Sequence, residues 1–111
     1  MNSTLAKKEC TACDGGTPVL KGKALQQLKS QLDGSWQVIN EQSLERQFKF
    51  PDFRHALEFT NRVGGIAEDQ GHHPDIYLTY GEVRIRLWTH KVNGLTESDF
   101  ILAAKIDDLN V

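Results

Sequence analysis

The stretch DIYLTYGEVRIRLWTH, residues 75 to 90, constrains the fold more than any other part of the chain. Apolar and polar residues alternate through its second half, the period of a half-buried strand. Val83, Ile85, Leu87 and Thr89 fall on one face, and Arg84, Arg86, Trp88 and His90 on the other. Gly81-Glu82 is the expected turn of a hairpin joining residues 75–80 to residues 83–90. A two-stranded hairpin with one apolar face is marginal in water, so the rest of the chain must widen the sheet and cover that face.

The remaining segments supply both. "WQVINE" and "LERQFKF" read as a second pair of strands, turning at Gln42-Ser43, with Leu44, Phe48 and Phe50 on one side. Leu25, Leu28 and Leu32 recur at helical spacing in "KGKALQQLKSQL", with Gly34 as a stop. Pro51-Asp52 opens a second helix, capped by Asp52, with an expected buried stripe of Phe53, Ala56, Leu57, Thr60, Val63, Gly64 and Ala67. Gly71 and Pro74 end it. Thr96 and Asp99 have capping-box spacing ahead of a last helix, "SDFILAAKIDDL". The expected fold is α+β, in the order α-β-β-α-β-β-α: a four-stranded antiparallel sheet with three helices on one face. At 111 residues the chain has room for one domain, placed at residues 21–111 behind an irregular N-terminal extension at 1–20.

Charge narrows the function. Thirteen basic and fifteen acidic residues leave a formal charge of −2, which argues against a nucleic-acid partner. The longest apolar run, "FILAA", is far short of the roughly 20 residues that span a bilayer. The first residues lack the apolar core of an export signal, so a cytoplasmic location is expected, without a membrane partner. Cys10 and Cys13 form a single C-x-x-C. It reads as a reduced N-terminal knuckle, with a half zinc site completed by another subunit as the alternative.

Three of the four histidines lie between residues 72 and 90. Pro74 biases His73 toward an extended conformation, and His72 sits just past a helix end, so the two rings project to opposite sides. His90 is on the polar face at a strand end. Close pairing of the hairpin would bring Pro74 and Asp75 beside Thr89 and His90. Imidazoles gathered this way can exchange protons near neutrality, bind a metal, or cap the polar ends of a sheet. His55, off the apolar stripe of the second helix, reads as a surface residue.

The motifs Glu68-x-x-x-His72-His73-Pro74, Trp88-Thr89-His90 and Gly94-Leu95-Thr96-x-x-Asp99, in this order, resemble the pterin-4a-carbinolamine dehydratases. The resemblance runs from about residue 20 to the C-terminus and includes "FKFPDFRHALEFTNRVGGIAE". It implies a hydro-lyase that converts 4a-hydroxytetrahydropterin to quinonoid dihydropterin, recycling a cofactor used by aromatic amino acid hydroxylases. The pterin would be substrate, with no further cofactor and no metal. The implied catalytic set is His72, His73, His90 and Asp99, with His72 and His90 as the acid–base pair and His73 orienting the ring. Glu68, Gly71, Trp88 and Thr89 form the implied substrate-binding set, Glu68 by tuning a histidine. Gly71 replaces a polar residue common in the family, so its contribution there would be backbone. The resemblance also implies a homodimer or homotetramer. It leaves open a non-enzymatic role as a transcriptional cofactor or assembly factor.

Overall fold

A computed structural model describes residues 5–10 and 18–109. The helices and strands follow the expected order: α1 (Gly22–Lys29), β1 (Gln37–Ile39), β2 (Ser43–Lys49), α2 (Phe53–Gln70), β3 (Asp75–Thr79), β4 (Glu82–Leu87) and α3 (Glu97–Asp107). All neighbouring strands are antiparallel, and the sheet order is β1-β2-β4-β3. The second hairpin therefore inserts β4 beside β2 and leaves β3 at an edge. Val83, Ile85 and Leu87 of β4 are wholly buried and meet Leu44 and Phe48 of β2 in one core. Arg84 and Arg86 point to the uncovered face, as the alternation requires.

Both turns differ from expectation by one or two residues. The first lies at Asn40 and Glu41, with φ of 52° and 56°, and Ile39 pairs with Ser43. Asn tolerates the left-handed region, and a left-handed pair matches the twist of a hairpin. The second lies at Tyr80-Gly81, because Glu82 is already in the ladder, opposite Thr79 on one side and Lys49 on the other. Asp75 consequently faces Arg86 rather than approaching Thr89. Thr89 leaves the sheet and bridges to Gly94 instead.

Helix α1 stops at Lys29, where the Ser30 hydroxyl donates to the Gln27 carbonyl at 2.7 Å, yet Leu32 still reaches the core from the following turn. Helix α2 begins as expected: the Asp52 side chain accepts the His55 backbone N–H at 2.9 Å. Its buried face is rotated from the expected stripe. Ala56, Phe59, Val63 and Ala67 are buried, while Phe53 and Leu57 are exposed. Phe59 packs 4.6 Å from Phe48 and 5.2 Å from Phe50, ring centre to ring centre. Burying that aromatic cluster outweighs turning Phe53 inward.

Helix α3 is the centre of the molecule, with Phe100 through Ala104 all buried. A 3₁₀ turn at Leu5–Lys7 closes over it: Leu5 is in the core and Lys105 Nζ donates to the Ala6 carbonyl at 2.8 Å. At its far end Asp107 ties α3 to the sheet. It accepts from Trp36 Nε1 at 2.7 Å, from Arg46 Nη1 at 2.6 Å and from the Asp33 backbone at 3.0 Å. Burial pushes the Asp107 carboxyl above its ordinary range, against the opposing pull of those donors. No helix among the described residues is long and apolar enough to cross a membrane.

Candidate active site

Two short joints place the candidate residues. The first is the end of α2. Gly71 adopts φ 63°, a left-handed cap whose N–H reaches back to the helix carbonyls. That conformation suits glycine, and it turns the chain sharply so that His72 and His73 leave the helix in different directions. The second joint is the end of β4, where Trp88, Thr89 and His90 run out of the sheet toward α3.

His72 turns inward. Its Nε2 lies 2.6 Å from Asp99 Oδ1, and Asp99 is completely buried. The other oxygen of Asp99 accepts the Thr89 hydroxyl at 2.8 Å and the Thr96 backbone N–H at 3.0 Å. One carboxylate thus joins the end of α2, the end of β4 and the start of α3. Asp99 serves the capping box and the histidine at once.

His73 turns outward and pairs through Nε2 with Glu68 Oε2, one helical turn back. Both side chains are mostly solvent-exposed, at 60% and 78%. The histidine that Glu68 contacts is therefore His73. His90 is exposed and lies against the Trp88 ring, with centres 4.5 Å apart at 31°. The other side of the sequence frames the same tryptophan: the Arg86 guanidinium sits 5.0 Å from the Trp88 ring centre. His55 is on the surface of α2, hydrogen-bonded to Asp52.

The structure thus draws His72, Asp99 and Thr89 into one hydrogen-bonded group, with His90 next in sequence to Thr89. Glu68 and His73 form a second pair outside it. Thr96, read in the sequence only as a helix cap, also contacts Thr89 at 2.9 Å, hydroxyl to hydroxyl. The alternation of β4 gave the signal: Thr89 falls on the apolar face, and a buried hydroxyl needs a partner.

A further contact concerns the N-terminal residues. Gln70, two residues before His72, accepts the Cys10 backbone N–H at 2.7 Å and donates to Glu9 at 2.6 Å. The Cys10 thiol lies 3.4 Å from the Ser98 carbonyl. Cys13, the other half of the C-x-x-C, lies outside the described residues. Among the described residues no three His, Cys, Asp or Glu side chains converge as a metal site requires.

Comparison with known proteins identifies the family and the fold. The family model described as pterin 4 alpha carbinolamine dehydratase matches residues 18–109. A Rubrobacter xylanophilus protein provisionally named pterin-4-alpha-carbinolamine dehydratase is 55% identical over 107 residues, covering 96% of this chain and 99% of that one. A provisionally so-named protein of Alkaliphilus metalliredigens is 50% identical over 105 residues, covering 95% of each. Among solved structures, a Brucella melitensis protein described as a transcriptional coactivator/pterin dehydratase superposes with a TM-score of 0.75 at 33% identity, over 80% of this chain and 95% of that one. A pterin dehydratase-like protein described as a RuBisCO assembly factor in the alpha-carboxysome shares the fold at a TM-score of 0.57 and 24% identity, over 66% of this chain and 86% of that one.

Proposed function

Because the chain belongs to the pterin 4 alpha carbinolamine dehydratase family, we propose that it removes water from a 4a-hydroxytetrahydropterin, with His72 and His90 exchanging the protons. The reaction breaks the C4a–O bond and forms the C4a=N5 double bond. A neutral imidazole takes the N5 proton, and an imidazolium delivers one to the departing hydroxyl, so that quinonoid dihydropterin and water leave together. The chemistry needs two proton carriers near neutrality and no redox step.

The observation that carries this reading is the His72–Asp99 pair. A buried carboxylate on one ring nitrogen orients an imidazole and stabilises it when it is charged. His73 serves binding and ring orientation, and the Trp88 ring offers an apolar wall beside His90. The product, once reduced again, would re-enter aromatic hydroxylation as tetrahydropterin. The working unit in this reading is a homodimer or homotetramer.

Stopped-flow absorbance of freshly generated carbinolamine tests the proposal. The protein should speed its breakdown well above buffer, and His72→Ala and His90→Ala should each remove most of the gain. A wild-type rate equal to buffer would overturn it. That outcome would favour the second reading, a protein-interaction role, for which the coactivator description of the 33% identical relative is the support.

A further inference from the structure

Each hydrogen of the group around Asp99 can be assigned by counting donors. Asp99 Oδ2 accepts the Thr96 backbone N–H and the Thr89 hydroxyl. The Thr89 hydroxyl has one proton, and Asp99 takes it. The 2.9 Å contact between the two threonine hydroxyls must then use the proton of Thr96. The Asp99 backbone N–H turns back to Thr96, donating to its carbonyl at 3.1 Å and facing its side chain in the other half of the capping box. The result is a closed ring with a single direction, from Asp99 N–H to Thr96, to Thr89, and back to the Asp99 carboxylate. Thr89, Thr96 and Asp99 are 4%, 1% and 0% exposed, so water cannot substitute for any member.

With Oδ2 filled by donors, Oδ1 is the face that Asp99 turns to His72. A carboxylate only accepts. The proton between the pair therefore belongs to His72 Nε2. Among the described residues no group bonds the other ring nitrogen, Nδ1.

We infer that the Thr89–Thr96–Asp99 ring is a positioning device that locks His72 as its Nε2–H tautomer, so that every proton His72 exchanges passes through Nδ1. Thr89 acts through Asp99 and not by lining the substrate pocket. The helix cap of α3 and the tautomer of the histidine are then one structure. The statement about proton exchange rests on the dehydratase reading; the statement about the tautomer does not.

Long-range ¹H–¹⁵N imidazole spectra of the full-length ¹⁵N-labelled chain test it, recorded above the ordinary imidazole range, where a ring is neutral. His72 peaks are assigned by their loss in His72→Gln. In the wild type they should show protonated Nε2 and bare Nδ1. Thr89→Val should leave Asp99 free to rotate away from His72, and a ring no longer held by Oδ1 should give a mixture of tautomers and lower kcat roughly tenfold, the effect of one hydrogen bond to a charged group, with KM little changed. Thr89→Ser should restore both. If Thr89→Val does not fold, Asp99→Asn provides the second variant: its amide can offer an N–H to the ring, and the Nδ1–H tautomer should then appear.

A wild-type ring protonated on Nδ1 would overturn the inference whatever the activity. So would a folded Thr89→Val with unchanged spectra and unchanged kcat. A wild type that shows the expected tautomer yet fails to turn over carbinolamine would refute the dehydratase reading and leave the lock standing.

Discussion

Asp99 meets His72 Nε2 with one oxygen and accepts from the α3 cap with the other, at 2.6 Å and 3.0 Å. The orientation of a candidate catalytic ring is thereby tied to the start of α3, the most buried helix among the described residues. Glu68 holds His73 with the same pair of groups but out in solvent.

These two pairs should respond very differently to loss of charge. Asp99→Asn should cut carbinolamine turnover by about 10²- to 10⁴-fold, the range for disabling a positioned acid–base group. Glu68→Gln should cost less than about tenfold, because exposed pairs contribute little, ~0–1 kcal/mol. Single-turnover rates of the two variants, side by side, decide it; equal losses would contradict the ranking by burial.

The rotated face of α2 gives a stability prediction. Phe59→Ala should destabilise by about 3–5 kcal/mol, since Phe59 is 2% exposed and its removal leaves a cavity against Phe48 and Phe50. Phe53→Ala, at a site 44% exposed, should change monomer stability by no more than about 1 kcal/mol. Urea unfolding of both variants checks the assignment, and a reversed order would restore the stripe expected from the sequence.

Leu5 offers a test at the other end of the chain. It is 1% exposed within the main core, although it lies in what the sequence reads as an irregular extension. Leu5→Ala should cost about 2–5 kcal/mol, the range for truncating a buried leucine. A thermal midpoint identical to wild type would return residues 5–10 to the status of a loose tail.

Asp52 predicts a pH dependence. The His55 backbone N–H, and then the His55 ring, hold the Asp52 carboxyl below its ordinary value of 3.8. A group lowered on folding contributes stability above its unfolded pKa and loses it as pH falls through the folded one. The thermal midpoint of the wild type should therefore exceed that of Asp52→Asn near neutrality, and the gap should close in acid below 3.8. A gap constant across that range would mean that the cap works through shape and not charge. Asp107, raised by burial, contributes with the opposite sign, and the comparison of two chains that share it removes its effect.

Element types and order were legible because periods of two and 3.6 leave strong marks over five or more residues, as in β4 and α3. The end of α2 was legible too, since Gly71 and Pro74 are both strong local signals. Turn positions were less so: Gly81 marks a turn, but only the pairing of Glu82 with Lys49 and Thr79 decides which two residues form it. The face of α2 was ambiguous for a different reason. Phe53 and Phe59 are equally apolar, and only the neighbours waiting on β2 select between them. At the site, the histidines and Asp99 could be picked from spacing and family resemblance. Which carboxylate meets which ring could not, because it depends on the left-handed turn at Gly71 that sends His72 and His73 apart.

The 3₁₀ turn at Leu5–Lys7 rests on α3, with Ala6 bonded to Lys105 across 99 positions. During synthesis the first of these segments emerges from the ribosome long before the second. Leu5 must stay in water until α3 has cleared the exit tunnel, and the nascent chain can complete its core only then. Any stall before α3 emerges would therefore hold an unfinished core with Leu5 still exposed.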